Sequence, residues 1–347
     1  DYDKTPNEAN AIFKKITEKC DFYNVFSAVR YNEALPELSW QDFVEFSNFL
    51  SSNGIDHLNQ ETLQNILEGS VAISKRAING QYTTPTELAK LLVRLTVKNW
   101  SDTILDCCCG TGTIPKEAIQ IKKTQMTAKE AVETVWACDK NNYPLQVANI
   151  SMTEPDTINI ANRLFQHNAL TLSIGEKITI TNPETGGNMI LALPAFGAVV
   201  SNLPFVPFEI IPADDKDEIS KMPFVDILDG RSDLYCYIAT KIADVIKPEG
   251  TLGIIVSNSW LGTNAGIKLM EALKQEYNIK QVHISGQGRW FKNADVVTTI
   301  LVLEKKKNSN CVDTDFWLWQ LSLEQLAENP DAENTLVNSA LLSSELD

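Results

Sequence analysis

Little in this sequence can hold a metal: it has three His, and its seven Cys include no C-x-x-C pair, so a zinc site has no framework. Three of the Cys are consecutive (Cys107, Cys108, Cys109) and the rest are scattered, which suits a reducing, cytoplasmic setting rather than a disulfide scaffold. No apolar run reaches the roughly 18 residues that span a bilayer, so no membrane is expected. The N-terminus, Asp1-Tyr2-Asp3-Lys4, has no charged-then-apolar leader and no Met, and reads as a piece of a longer polypeptide or a trimmed numbering. Basic residues are scarce as well: 30 Lys and Arg face 45 Asp and Glu, a net charge of −15. Phosphate contacts need Lys and Arg, so the body of this chain is not expected to grip nucleic acid strongly by itself.

What is present is a large apolar complement, 44% of 347 residues, enough for a sizeable core and for two domains. Residues 1–75 read as a helical domain. Ser39 is an N-cap candidate for Trp40 to Leu50, with Phe43, Phe46, Phe49 and Leu50 on one face, and Leu58 to Ile73 suggests another helix. From residue 76 to 307 the texture alternates. Short β-rich runs (Thr103–Cys107, Val135–Cys138, Arg163–His167, Ala198–Ser201, Leu252–Val256, Lys280–Ile284, Thr298–Leu303) are separated by helical stretches at Thr86–Val97, Ile114–Ile121, Asn142–Ser151, Asp233–Ile246 and Ile267–Glu276. This predicts an α/β fold whose seven-stranded, mostly parallel sheet carries helices on both faces. Residues 171–197 and 206–232 interrupt the pattern as long loops. Residues 308–347 form a C-terminal extension in which Phe316, Trp317, Leu318 and Trp319 should be buried.

The ligand signal lies where the first strand turns into a helix, Asp106-Cys107-Cys108-Cys109-Gly110-Thr111-Gly112. Gly110 and Gly112 let the backbone approach a ligand, and Asp106 can accept hydrogen bonds from an ammonium group. Asp139, ending the second strand, is placed for the hydroxyls of a ribose. Pro115 stands where a nicotinamide-binding loop has its third glycine. An adenosyl ligand with a charged amino-acid tail therefore fits better than a pyrophosphate. Asn168, after the third strand, has an amide able to read adenine.

The fourth strand ends in Ser201-Asn202-Leu203-Pro204-Phe205. This resembles the signature of amino-methyltransferases, [Asp/Asn/Ser]-Pro-Pro-aromatic. The resemblance implies catalytic roles for Asn202 (amide oxygen), Leu203 (backbone carbonyl), Pro204 (rigid turn) and Phe205 (stacking face). Leu203 departs from the usual Pro, but the group needed there is a backbone carbonyl; ribosomal-RNA adenine dimethyltransferases carry the same Asn-Leu-Pro-aromatic variant. Gly80-Gln81-Tyr82-Thr83-Thr84-Pro85 resembles the Gly-x-Tyr-Tyr-Thr-Pro segment of N6-adenine DNA methylases, among them type I modification subunits and fused restriction–modification enzymes. It implies cofactor contacts from Tyr82, Thr83 and Thr84; Thr83 replaces an aromatic, Cys107 and Cys108 replace Pro-Ala, and Asn168 replaces Asp. Arg231 to Tyr235, Lys247 to Ser257 and Gly288 to Leu303 continue the likeness, with Phe291 either beside a flipped base or in the core.

Taken together, the resemblance implies a class I S-adenosylmethionine-dependent methyltransferase acting on adenine N6 in DNA within a restriction–modification system. DNA is the implied partner, with recognition in a separate specificity subunit or a target-recognition domain beyond the C-terminal extension. Two alternatives stand beside it: an amino-methyltransferase of RNA or of protein glutamine, and a non-catalytic scaffold of the same fold.

Overall fold

The computed structural model describes residues 5–20, 37–53, 62, 83–228, 231–291, 297–307 and 313–343. The expected helix over 58–73, apart from Thr62, and the segment Gly80 to Tyr82 lie outside the described residues. No helix among the described residues is long and apolar enough to cross a membrane. The chain opens with two helices, α1 (Pro6–Cys20) and α2 (Glu37–Ser52). On α2, Phe46 and Phe49 are exposed, so the apolar face read from the sequence is not packed at those two rings. Trp40 of the same helix is buried instead.

The rest builds on one sheet. In chain order come α3 (Thr86–Thr96), β1 (Ile104–Asp106), α4 (Thr113–Lys123), α5 (Ala128–Glu133), β2 (Val135–Asp139), α6 (Asn142–Met152) and β3 (Arg163–Gln166). A hairpin of β4 (Lys177–Thr181) and β5 (Asn188–Ala192) follows, then β6 (Phe196–Asn202), α7 (Ala213–Ile219), α8 (Leu234–Lys241) and β7 (Ile246–Ser257). The chain continues with α9 (Asn264–Glu276), β8 (Tyr277–Ser285), β9 (Thr298–Lys305), β10 (Asp315–Trp319), α10 (Leu323–Glu328) and α11 (Pro330–Ser343). The sheet has eight strands in the order β10-β8-β9-β7-β6-β1-β2-β3. Within it, β9 runs antiparallel to both of its neighbours.

Side chains alternate across this sheet and separate two cores. Leu105, Val199, Leu252 and Ile254 face a core shared with α8 and α9. Ile104, Ala198, Val200 and Ile255 face the other, shared with α3, α4 and α6. Strands buried on both faces read as continuous apolar runs, which is why the sequence announced them. The chain fills β1, β2 and β3 outward in one direction and then returns to β6 on the other side of β1. A crevice opens at such a reversal, beyond the carboxyl ends of the strands. Here those ends are Asp106 and Asn202.

Three features differ from expectation. The 171–197 interruption contains the β4–β5 hairpin, in which Ile178 and Ile180 are buried. The 206–232 interruption contains α7. The eighth strand is β10, parallel to β8 at the sheet edge. Its alternation buries Trp319, but leaves Phe316 67% and Leu318 60% exposed, against the expectation that all four apolar residues are covered. Among the described residues, covering elements lie on one face only, where Trp319 joins Val337 and Ala340 of α11.

A directional hydrogen-bond chain holds this edge. Trp319 Nε1 donates to His283 Nδ1 at 3.1 Å, His283 Nε2 lies 3.1 Å from Gln281 Oε1, and Gln281 Nε2 donates to the Ala340 carbonyl. The tautomer is thereby fixed with its proton on Nε2. Burial lowers the His283 pKa to about 3, so the folded state keeps this ring neutral and unfolding lets it take up a proton. The resulting stability is complete above the unfolded pKa of about 6.5 and drains away as pH falls toward the folded value. Urea unfolding between pH about 6.5 and about 4.5 should show stability falling more steeply in the wild type than in His283→Gln; equal slopes would remove His283 from the account.

Candidate active site at the carboxyl ends of β1 and β6

The turn from β1 into α4 is built from two glycines with different tasks. Gly112 (φ +89°) caps α4, and a Cβ there would lie 2.7 Å from Ser151 Oγ and 2.9 Å from Ala148 Cα. Only glycine lets α4 sit this close to α6, and Ser151 Oγ fixes the approach by donating to the Thr111 carbonyl at 2.8 Å. Gly110 (φ +51°) is the opposite case: a Cβ there would meet nothing within 4 Å. Its surroundings are open, as a backbone cradle for a ligand requires.

Two carboxylates border the turn. Asp106 is 2% exposed, and its Oδ1 accepts from Ser201 Oγ at 2.7 Å and from the Cys108 amide at 3.2 Å. Oδ2 is buried and accepts no hydrogen bond among the described residues, a costly state that a cationic donor would relieve. Burial pushes the Asp106 pKa up to about 7, partly countered by Ser201 and Cys108 and reinforced by Asp139. An ammonium group beside it would draw it to the charged form. Asp139 accepts from the Gly110 amide at 3.1 Å through Oδ2 and from the Asn141 backbone amide at 2.8 Å through Oδ1. Its pKa is raised, chiefly by burial. Each carboxylate oxygen can accept more than one bond, so Asp139 retains acceptor capacity for hydroxyl donors.

The neighbouring thiols carry no nucleophile. Burial raises the pKa of Cys109 and Cys138; that of Cys108 is raised first by its hydrogen bond with Cys107 and then by burial. All three stay protonated near neutrality, and it is the thiolate that reacts. Among the described residues no group of three His, Cys, Asp or Glu could hold a metal ion.

Asn168 lies at the same end of the sheet, after β3. Its Oδ1 accepts from the Leu170 amide at 3.1 Å, and its Nδ2 donates to Asp215 Oδ1 at 2.7 Å. His167 turns away from this cluster, with Nε2 2.8 Å from Glu176 Oε1.

At the end of β6, Asn202 Nδ2 donates to Thr84 Oγ1 at 3.1 Å. The amide nitrogen is thus committed, and the oxygen is the other end of the group. The Leu203 amide donates to the Ile255 carbonyl at 3.2 Å, and its side chain is buried, which anchors the turn. The Val206 amide then closes on the Pro204 carbonyl at 3.0 Å. Phe205 is half-buried, whereas Phe291 is 3% exposed in the core with Leu88, Val200 and Ile255. Phe205, packed against both cores, is the less buried of the two rings. Thr84 is buried, Thr83 is exposed, and Tyr82 lies outside the described residues.

The structure thus brings Thr84, Asp106, Gly110, Asp139, Asn168 and Asn202 to one end of the sheet. Two contributors carried no assigned role in the sequence reading. Ser201 sat inside the motif, and its place before Asn202 could have suggested a contact with β1. Asp215 had no signal, being one acid among several in an acidic stretch.

This sheet order, a glycine turn after β1 and an acid at the end of β2 define a class I S-adenosylmethionine-dependent methyltransferase fold. The chain belongs to the N-6 DNA Methylase family, whose model matches residues 64–342. It is 28% identical over 116 residues to the type II methyltransferase M.BanIII of Aneurinibacillus aneurinilyticus, a match spanning 33% of this chain and 19% of that protein. In structure it is similar to a class I S-adenosylmethionine-dependent methyltransferase of Listeria monocytogenes (TM-score 0.55, 18% identity, 97% of this chain and 98% of the other). It is also similar to the methyltransferase subunit of a type I restriction–modification system from Streptococcus thermophilus (TM-score 0.55, 17% identity, 82% of this chain and 57% of the other).

The Thr84 contact has a direct consequence. Thr84→Val removes this acceptor at nearly constant volume and takes away one constraint on the orientation of the Asn202 amide. Turnover is expected to fall roughly 10- to 100-fold, by more than any loss of affinity for the cofactor product, with Thr84→Ser restoring the rate. Steady-state kinetics beside calorimetric titration checks this; an unchanged rate in Thr84→Val would contradict it.

Proposed function

We propose that this chain is the catalytic core of a DNA methyltransferase that transfers a methyl group from S-adenosylmethionine to N6 of adenine within a restriction–modification system. The observation that carries this reading is the Asn202 amide at the end of β6, whose nitrogen donates to Thr84 Oγ1 and so sets which end of the amide faces Thr84. Family membership supports the reaction class.

The crevice fits the cofactor's chemistry. Asp106, with one buried oxygen lacking a donor, suits its ammonium group. Gly110 leaves room for the ligand, and Asp139 suits the ribose hydroxyls. When bound, the cofactor supplies an electrophilic methyl on a sulfonium centre.

The protein's task is then to make a poor nucleophile attack. The lone pair of an exocyclic amino nitrogen is delocalised into its ring. The Asn202 oxygen and the Leu203 carbonyl each accept one N–H of that group, which orients the lone pair and stabilises the positive charge that develops on nitrogen. Phe205 stacks on the base once it has left the duplex. Such stacking contributes about 1–3 kcal/mol, against the few kcal/mol that flipping costs.

The net charge of −15 bears on partners. A chain this acidic has little to offer a phosphate backbone, so we assign sequence recognition to a separate specificity subunit or a further target-recognition domain. Tight, sequence-specific DNA binding by this chain alone, in a gel-shift assay, would contradict that assignment.

Two substitutions test the site reading. Asn202→Ala should lower turnover roughly 100-fold or more with affinity for the cofactor product preserved, as expected for an acceptor used in the transition state. Asp139→Ala should mainly weaken cofactor affinity. Near-wild-type turnover by Asn202→Ala would refute the catalytic assignment.

A further inference from the structure

The segment that follows the catalytic turn is not a loose insertion. Ile211, Ile219, Met222 and Leu228 are buried in the same core as Leu170 and Leu172. These anchors seat α7 against the short helical turn Ala169–Thr171, which begins immediately after Asn168.

From α7 the segment sends in one carboxylate. Asp215 is 3% exposed, and a single oxygen, Oδ1, accepts from Asn168 Nδ2 at 2.7 Å and from Lys140 Nζ at 2.8 Å. A buried carboxylate is retained only where partners compensate its lost hydration. Both partners adjoin the cofactor crevice: Lys140 follows Asp139, and Asn168 is the residue read as facing adenine.

The consequence falls on the Asn168 amide, whose two ends differ. Its oxygen accepts from the Leu170 amide, and one of its two N–H groups donates to Asp215. Asp215 Oδ1, which also accepts from Lys140, faces the nitrogen end of the amide, as the Leu170 N–H faces its oxygen end. What the amide can still offer as a donor is its second N–H. A donor there suits adenine, whose N1 is an acceptor, and clashes with hypoxanthine, whose N1 carries a proton.

Resting on the cofactor reading given above, we propose that Asp215 is a positioning residue for cofactor specificity: together with the Leu170 amide it holds the Asn168 amide with an N–H toward the purine, so that the site selects an adenosyl over an inosyl ligand. Part of the cofactor site is thereby supplied by the segment that follows Phe205.

The test is calorimetric titration of the full chain with S-adenosylhomocysteine and with S-inosylhomocysteine. The wild type is expected to prefer the adenosyl compound roughly tenfold, the scale of one hydrogen bond gained and one repulsion avoided. Asp215→Ala and Asn168→Ala should each reduce that preference to less than about threefold, and combining them should remove nothing more. Asp215→Asn still presents an oxygen to both partners and should retain the preference. An Asp215→Ala protein that keeps the full preference, or loses affinity for both compounds in equal proportion, would overturn the proposal while leaving the cofactor reading intact. A wild type that binds neither compound would overturn both.

Discussion

A carboxamide has one end that donates and one that accepts, and turning it over exchanges them at almost no steric cost. The site depends on that choice being made at Asn202. Thr84 makes it by accepting the amide nitrogen at 3.1 Å, and the rest of the fold can be understood as the means of bringing these two residues together. Thr84 enters just before α3, which packs across the sheet with Val200 and Ile255. Asn202 ends β6, whose residues are buried on both faces. A fully buried apolar side chain contributes about 1.5–3 kcal/mol, so a strand carrying several is not readily displaced. The amide is therefore presented by rigid elements.

The same sheet reversal that exposes Asn202 places Asp106 beside it. The Ser201–Asp106 hydrogen bond at 2.7 Å crosses from β6 to β1, tying the residue before Asn202 to the acid that borders the glycine turn. Gly110 then carries the connection to Asp139. The glycine turn and the β6 turn, the proposed cofactor and methyl-transfer sites, are thus linked through hydrogen bonds. A change in Asp106 ionisation, poised near neutrality by burial, is felt at Ser201 as well.

Much of this was legible in the sequence because burial on both faces leaves a plain trace. Val135-Trp136-Ala137-Cys138 and Ala198-Val199-Val200-Ser201 could only be interior strands, and the residues at their ends were readable by the chemistry they offer. The hairpin was readable too: Lys177-Ile178-Thr179-Ile180-Thr181 alternates with period two and runs into a turn containing Gly186 and Gly187, but it stood inside a stretch read as one long loop. β10 was harder, because an edge strand covered on one face mimics a buried apolar run. Least legible were the contacts that orient the two amides. Thr84 and Asn202 are 118 residues apart, and Asn168 and Asp215 are 47 apart. Such pairs follow from how the sheet is wound, and no local pattern marks them.

The measurement that bears most directly on this account is the identity of the methylated atom. Purified protein would be given S-adenosylmethionine with a tritiated methyl group and unmethylated duplex DNA, and the DNA then digested to nucleosides and separated. The account predicts label in N6-methyldeoxyadenosine. Label in a cytosine derivative, or label found only when RNA or protein replaces the DNA, would contradict it.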